Sequence, residues 1–154
     1  MSTDFMKRAI ELSITNIETG GGPFGAVVVK NGKIIGEGWN KVTTTNDPTA
    51  HAEVEAIREA CKNLNTYDLA GAEIYTSCEP CPMCLSAIYW ARLSKIYFGN
   101  TKKDAAAIQF DDDFIYTEIS KPHAQRKISM VQLMQAEALE VFKAWKMSDK
   151  KVPY

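Results

Sequence analysis

Two short stretches carry side chains whose types and spacing can do chemistry: His51-Ala52-Glu53 and Pro80-Cys81-Pro82-Met83-Cys84. Zinc prefers nitrogen and sulfur ligands, and a catalytic zinc keeps three protein ligands and one open position for water. Cys81 and Cys84 stand three apart, which puts them on one face at the start of a helix. The amide dipoles at such a start favour thiolate, the form that binds metal. His51 would supply the third ligand from the first turn of a different helix. Glu53, two residues on, can reach metal-bound water without being a ligand. Zinc lowers the pKa of bound water towards neutrality and so makes hydroxide available. Attack of hydroxide on a ring carbon that bears an amino group then needs a carboxylate to carry protons, first to a ring nitrogen and later to the departing amine. Glu53 is the candidate for that work.

Cys78 leaves a second reading open. With Cys81 and Cys84 it forms two overlapping C-x-x-C pairs, and with His51 these make a closed Cys3His structural site in which Glu53 is only a surface carboxylate. Against this, Cys78 ends a predicted strand ahead of Pro80 and need not face its neighbours; its plain reading is a small buried thiol. Cys61 reads as core, and His123, beside Pro122, as an exposed loop residue.

The elements that must position these residues follow from pattern. Apolar residues from Phe5 to Ile17 recur at helical spacing, predicting an amphipathic helix over about residues 3 to 18 that ends at Gly20-Gly21-Gly22-Pro23. Phe24 to Lys30 and Lys33 to Trp39 are β-rich runs separated by Asn31-Gly32, a strong hairpin signal. Asn40 to Pro48 reads as a loop. A helix is expected from Thr49 to Leu64, a strand from Ala72 to Ser77 and a proline-opened helix from Pro82 to Ala91. A short strand from Lys95 to Gly99 and a brief helix over 101–107 follow, then an acidic loop at Asp111-Asp112-Asp113. Val131 to Met134 reads as a strand and Ala136 to Trp145 as a helix. This order suggests a mixed sheet with helices on both faces, whose ligands sit at the carboxyl ends of strands.

The bulk numbers agree with one domain spanning residues 1–154, with 45% hydrophobic and 24% charged residues. A net charge of −1 speaks against nucleic acid as a partner. The apolar runs are too short to cross a bilayer, no signal-peptide pattern opens the chain, and the crowded cysteines suit a metal in a reducing compartment, so a cytoplasmic location is expected.

The run Asn46-Asp47-Pro48-Thr49-Ala50-His51-Ala52-Glu53, taken with Thr76-Ser77-Cys78-Glu79-Pro80-Cys81-Pro82-Met83-Cys84, resembles the cytidine deaminase superfamily. Within it the chain most resembles the small bacterial guanine deaminases, through Ile88-Tyr89-Trp90-Ala91, Phe110 to Tyr116 and the terminal tyrosine. The resemblance implies an α/β protein, a three-layer α/β/α fold with a mixed five-stranded sheet. It also implies one zinc per subunit, conversion of guanine to xanthine and ammonia, and a homodimer whose exchanged carboxy-terminal segments close each other's pockets. His51, Cys81 and Cys84 would hold the metal and Glu53 would shuttle protons. Phe24, Asn40, Ala52, Trp90, Asp112 and, from the neighbouring subunit, Tyr154 would contact the base. Each has a plainer reading: Phe24 and Trp90 as core, Asn40 as a turn residue, the acidic run as a solvated loop, the tail as frayed. Two functional alternatives stay open, a transfer-RNA adenosine deaminase, whose family carries a similar Asn-Asp-Pro-Thr-Ala-His-Ala-Glu run, and a non-catalytic zinc-stabilised binding module.

Overall fold

A computed structural model describes all residues, 1–154, and divides the chain into two compact units, residues 1–115 and 116–154. The first unit opens with helix α1 (Ser2–Glu18), which buries Ala9, Leu12, Ser13 and Asn16 along one stripe. Strands β1 (Gly25–Lys30) and β2 (Lys33–Trp39) form the expected hairpin, with Asn31 at φ 51° and Gly32 at φ 73°. Two left-handed residues in succession match the strand twist, which is why Asn-Gly works here. A short helix α2 (Val42–Thr45) interrupts the predicted loop, and helix α3 (Ala52–Leu64) follows. Strand β3 (Glu73–Cys78), helix α4 (Pro82–Trp90), strand β4 (Lys95–Asn100) and helix α5 (Lys102–Ala107) come next. Helix α6 (Asp113–Ser120) begins inside the predicted acidic loop and runs across the boundary between the units.

The sheet is mixed, in the order β2-β1-β3-β4, with β1 antiparallel to both neighbours and β4 parallel to β3. Side chains alternate across it. Val27, Val29 and Tyr75 pack with Leu12 of α1 on one face, while Ala26, Val28 and Ile74 pack with α3 and with Ile88 of α4 on the other. Helices therefore cover both faces. The sheet has four strands, not the five expected. Val131 to Met134 pairs with nothing, because Met134 takes a left-handed conformation (φ 54°) as the cap of helix α7 (Gln135–Met147) and ends the extended backbone there. An unpaired strand has no ladder to hold it.

Helix α3 starts at Ala52, not Thr49. The Asp47 carboxylate accepts from the Thr49 amide (2.8 Å) and hydroxyl (2.7 Å), and this side-chain turn holds residues 47–50 out of the helix. His51 thereby becomes the N-cap of α3. The helix lies unusually close to β2, since a Cβ on Gly38 would collide with the Ala52 carbonyl and one on Gly36 with that of Ala56.

In the second unit the Arg126 guanidinium donates to the carbonyls of Glu118, Ile119 and Lys121, and Glu118 accepts from Lys121 Nζ (2.5 Å). His123 opens an exposed 3-10 turn, His123–Gln125, as expected. No residue from 116 to 154 is buried. No helix is long and apolar enough to cross a membrane.

The close approach of α3 to β2 is testable. Gly38→Ala forces a methyl group into the α3 backbone and should destabilise by about 3 kcal/mol. Gly32→Ala meets open space and only the left-handed strain, about 1–2 kcal/mol. Equal losses in denaturant unfolding would show that α3 does not press on the strand.

Candidate metal centre and cavity

Strand polarity gathers the site. β2, β3 and β4 run one way and β1 the other, so the residues after Trp39 and Cys78 meet the residues before Gly25 at one edge of the sheet. The starts of α3 and α4 lie at the same edge. His51 caps α3, and Cys81 caps α4, its sulfur accepting from the Cys84 amide (3.5 Å). Pro82 occupies the first helical position, where a missing N–H costs nothing.

The ligand atoms of His51, Cys81 and Cys84 all lie within 4.8 Å of one another. His51 Nδ1 is 3.6 Å from Cys81 Sγ and 3.5 Å from Cys84 Sγ. A tetrahedral zinc with a Zn–S length of about 2.3 Å and a Zn–N length of about 2.0–2.1 Å requires an N···S edge of about 3.6 Å. The fit is close. The donor chemistry agrees. Cys81 is held down to about 4, first by its hydrogen bond with Cys84 and also by His51, while the His51 imidazole is held up by Cys81. Cys84, facing the Cys81 sulfur in a buried position, is pushed well above the usual thiol range. Two adjacent thiolates, one half-buried and one buried, repel, and a dication is what lets both ionise.

Glu53 stands two residues beyond His51, only 6% exposed, with its carboxyl pushed up by burial. Thr76 on β3 holds it: the hydroxyl lies 3.0 Å from Glu53 Oε1. Sequence reasoning missed Thr76. The signal was there, because strand alternation puts it on the buried face with Ile74, where a polar side chain needs a partner. Cys78 stands apart from the ligand cluster. Its sulfur lies against the Thr101 carbonyl (3.8 Å), and burial pushes its thiol up to about 11.

A cavity of about 420 Å³ opens beside Glu53 and His51. Phe24, Asn40 and Asp112 line it, as does Phe110, whose ring meets Phe24 edge to face at 5.0 Å. Asn40 is nearly buried, and its Oδ1 accepts from the Val42 amide (3.1 Å), so its NH2 group carries the hydrogens left to offer. Asp112 Oδ1 is buried with no hydrogen-bond partner, and burial pushes that carboxyl up. An orphaned acceptor on a cavity wall awaits a donor. Ala52, the first residue of α3, is fully buried against the sheet and contributes packing. Trp90 is not brought to this cavity. It lies 65% exposed, beside a shallow depression with Tyr89 and Arg92. Tyr154 belongs to the second unit and is exposed.

A sheet with helices on both faces, a His-Cys-Cys cluster shaped for one metal ion and a carboxylate beside it define a zinc-dependent hydrolytic site. The family model for the cytidine and deoxycytidylate deaminase zinc-binding region matches residues 1–100, and the chain belongs to that family. It is 54% identical to the guanine deaminase of Bacillus subtilis over 151 residues, 97% of each chain. The crystal structure of that enzyme superposes with a TM-score of 0.96, covering 99% of this chain and 98% of the other. A tRNA-specific adenosine deaminase of Buchnera aphidicola is 43% identical over 100 residues, 65% of this chain and 66% of its own. A further solved chain, in complex with 2,6-diaminopurine, matches with a TM-score of 0.68 and 36% identity over 70% of this chain and 61% of that one.

The separation of Cys78 from the cluster makes a clean control. Cys78→Ser should keep one zinc per chain by elemental analysis, whereas Cys81→Ser should lose most of it. Loss of zinc from the Cys78 variant would restore the closed four-ligand reading.

Proposed function

We propose that this chain hydrolyses guanine to xanthine and ammonia in a zinc-dependent reaction. The observation that carries the reading is the pair of polar groups on the cavity wall: the unpaired buried oxygen of Asp112 and the Asn40 amide with its carbonyl engaged. Guanine offers N–H donors beside a carbonyl acceptor, which suits a carboxylate and an amide NH2. Adenine reverses the pattern, with an unprotonated ring nitrogen and an amino group. Near-full-length similarity to a guanine deaminase supports the same choice.

A zinc ion held by His51, Cys81 and Cys84 would supply hydroxide at neutral pH. Glu53, fixed by Thr76, takes the proton from the attacking water and passes it to a ring nitrogen of the base. The C–N bond to the exocyclic amine then breaks, and the departing amine leaves as ammonia with a proton relayed by the same carboxyl. Burial suits Glu53 to this work, because it eases the step in which the carboxyl holds a proton. Phe24, backed by Phe110, gives the flat base an aromatic wall.

The proposal includes a cytoplasmic homodimer with exchanged carboxy-terminal segments, the whole chain serving as one deaminase domain. Its support is the second unit itself, which carries Leu139, Val141, Phe142 and Trp145 exposed on α7 and buries nothing. Roles for Trp90 and Tyr154 as base contacts belong to that dimer.

Ammonia release measured over guanine, adenine, cytosine and a transfer-RNA anticodon arm should show turnover of guanine. Glu53→Gln should keep fold and zinc but lose at least about a hundredfold in kcat. Preferred turnover of the RNA adenosine would select the adenosine deaminase alternative, and zinc without turnover of any base would select the binding module. The dimer has its own check. Sedimentation should give twice the chain mass, and deleting Val152 to Tyr154 should lower kcat/KM at unchanged Tm. A monomer, or a truncated enzyme with normal kinetics, would remove the exchanged tail.

A further inference from the structure

Asn16 sits in the last turn of α1, only 3% exposed, and does not line the cavity. Both hydrogens of its side-chain amide are committed. Nδ2 donates to the Gly22 carbonyl (2.8 Å) and to the Asn40 carbonyl (2.7 Å). Its own backbone carbonyl accepts from the Gly21 amide (3.0 Å). The chain from Gly20 to Phe24 therefore wraps around this one side chain, and a Cβ on Gly21 would collide with its amide. A Cβ on Gly22 would stand 3.1 Å from Asn40 Cγ, so the wrap also presses on the Asn40 side chain.

The two carbonyls that Asn16 grips belong to the two segments carrying the cavity's first wall. One precedes Phe24 by two residues, and the other is that of Asn40 itself. These segments are also joined directly, the Asn40 amide donating to the Phe24 carbonyl (3.1 Å). A single planar NH2 group with two hydrogens at a fixed angle thus adds a second tie beside that direct bond and holds the Gly22 and Asn40 carbonyls in a fixed relation. The Thr43 hydroxyl also crosses between the two stretches, donating to the Gly20 carbonyl (3.1 Å), but Asn16 is the side chain that donates to a carbonyl in each.

We infer that Asn16 is a positioning residue that clamps the segments carrying Phe24 and Asn40 together, and through them sets the grip on the base. It acts on binding and leaves the proton chemistry alone, because neither Glu53 nor the metal ligands touch it. The inference rests on the reading that Phe24 and Asn40 contact the base. Aspartate at this position keeps the shape but turns two donated hydrogen bonds into oxygens facing oxygens. Alanine removes the clamp without adding charge.

The experiment uses the zinc-loaded full chain with guanine as substrate. Asn16→Asp and Asn16→Ala should each raise KM about tenfold while kcat stays within about threefold, with zinc content unchanged. A cycle with Asn40→Ala separates positioning from general stability. If Asn16 works through Asn40, the double variant Asn16→Ala/Asn40→Ala should be little worse in KM than Asn40→Ala alone. Additive effects, or a fall in kcat that tracks a fall in Tm, would overturn the inference and leave Asn16 as a stability residue. An Asn40→Ala variant with normal KM would instead overturn the base-contact reading on which the inference stands.

Discussion

The contact between α3 and β2 is the constraint on which the site depends. Ala52, Ala56 and Ala60 recur every four residues along the buried stripe of the helix, and Gly36 and Gly38 every two along the strand. Four helical residues rise about 6 Å and two strand residues about 6.8 Å, so small residues can face each other over successive turns. With no side chain between them, the helix backbone rests on the strand and its axial position is fixed. The first residues of α3 are then fixed too. His51 and Glu53 are held at the sheet edge by packing, before any ligand contributes.

That edge concentrates electrostatic work of two kinds. The start of α4 turns the Cys84 amide towards the Cys81 sulfur and favours its thiolate, while His51 and Cys84 reach the deprotonated ligand set only when a cation completes it. A few ångströms away, Glu53 and Asp112 are carboxyls whose burial favours the protonated form. One has a partner in Thr76, while Asp112 Oδ1 has none. In the proposed reaction the paired acid carries protons from one pose, and the unpaired oxygen takes a donor from the base. The difference comes from where each carboxyl sits in the fold, Glu53 in the first turn of α3 facing Thr76 and Asp112 in the segment before α6.

The chemistry of the site was legible in the sequence because it is local. H-x-E and P-C-x-x-C each lie within one turn of a helix start, and Asn31-Gly32 announces its hairpin through backbone sterics alone. What escaped depends on side chains acting over distance or against the local pattern. Asp47 delays α3 by a side-chain turn, so the helix starts later than its apolar spacing predicts. Met134 takes an αL cap that no propensity announces for methionine, and a fifth strand fails there. Strand alternation marks Thr76 as a buried polar side chain but does not name its partner, and Thr76 and Asn16 do their work through partners 23 and 24 residues away. Trp90, assigned by resemblance, lies outside the cavity because the exposed face of α4 points elsewhere in a single chain.

In the proposed function, the share of base choice that falls to Asp112 comes from a different part of the chain than the metal ligands and Glu53. The zinc-binding family region spans residues 1–100 and contains the metal ligands, Glu53, Thr76 and Asn40, and a tRNA-specific adenosine deaminase shares a stretch of that length. A stretch of about that length is therefore shared by proteins named for different substrates. The guanine deaminase match continues over 151 residues and so takes in most of what lies beyond 100. In this chain that added length supplies Phe110 and Asp112 to the cavity wall. A carboxylate with one oxygen buried and unpaired is costly to keep unless something donates to it. A base with N–H groups along its edge recovers that cost on binding, and a base offering only lone pairs there adds repulsion to it. Selectivity on this reading is set less by attraction to the right base than by the penalty the same oxygen imposes on the wrong one.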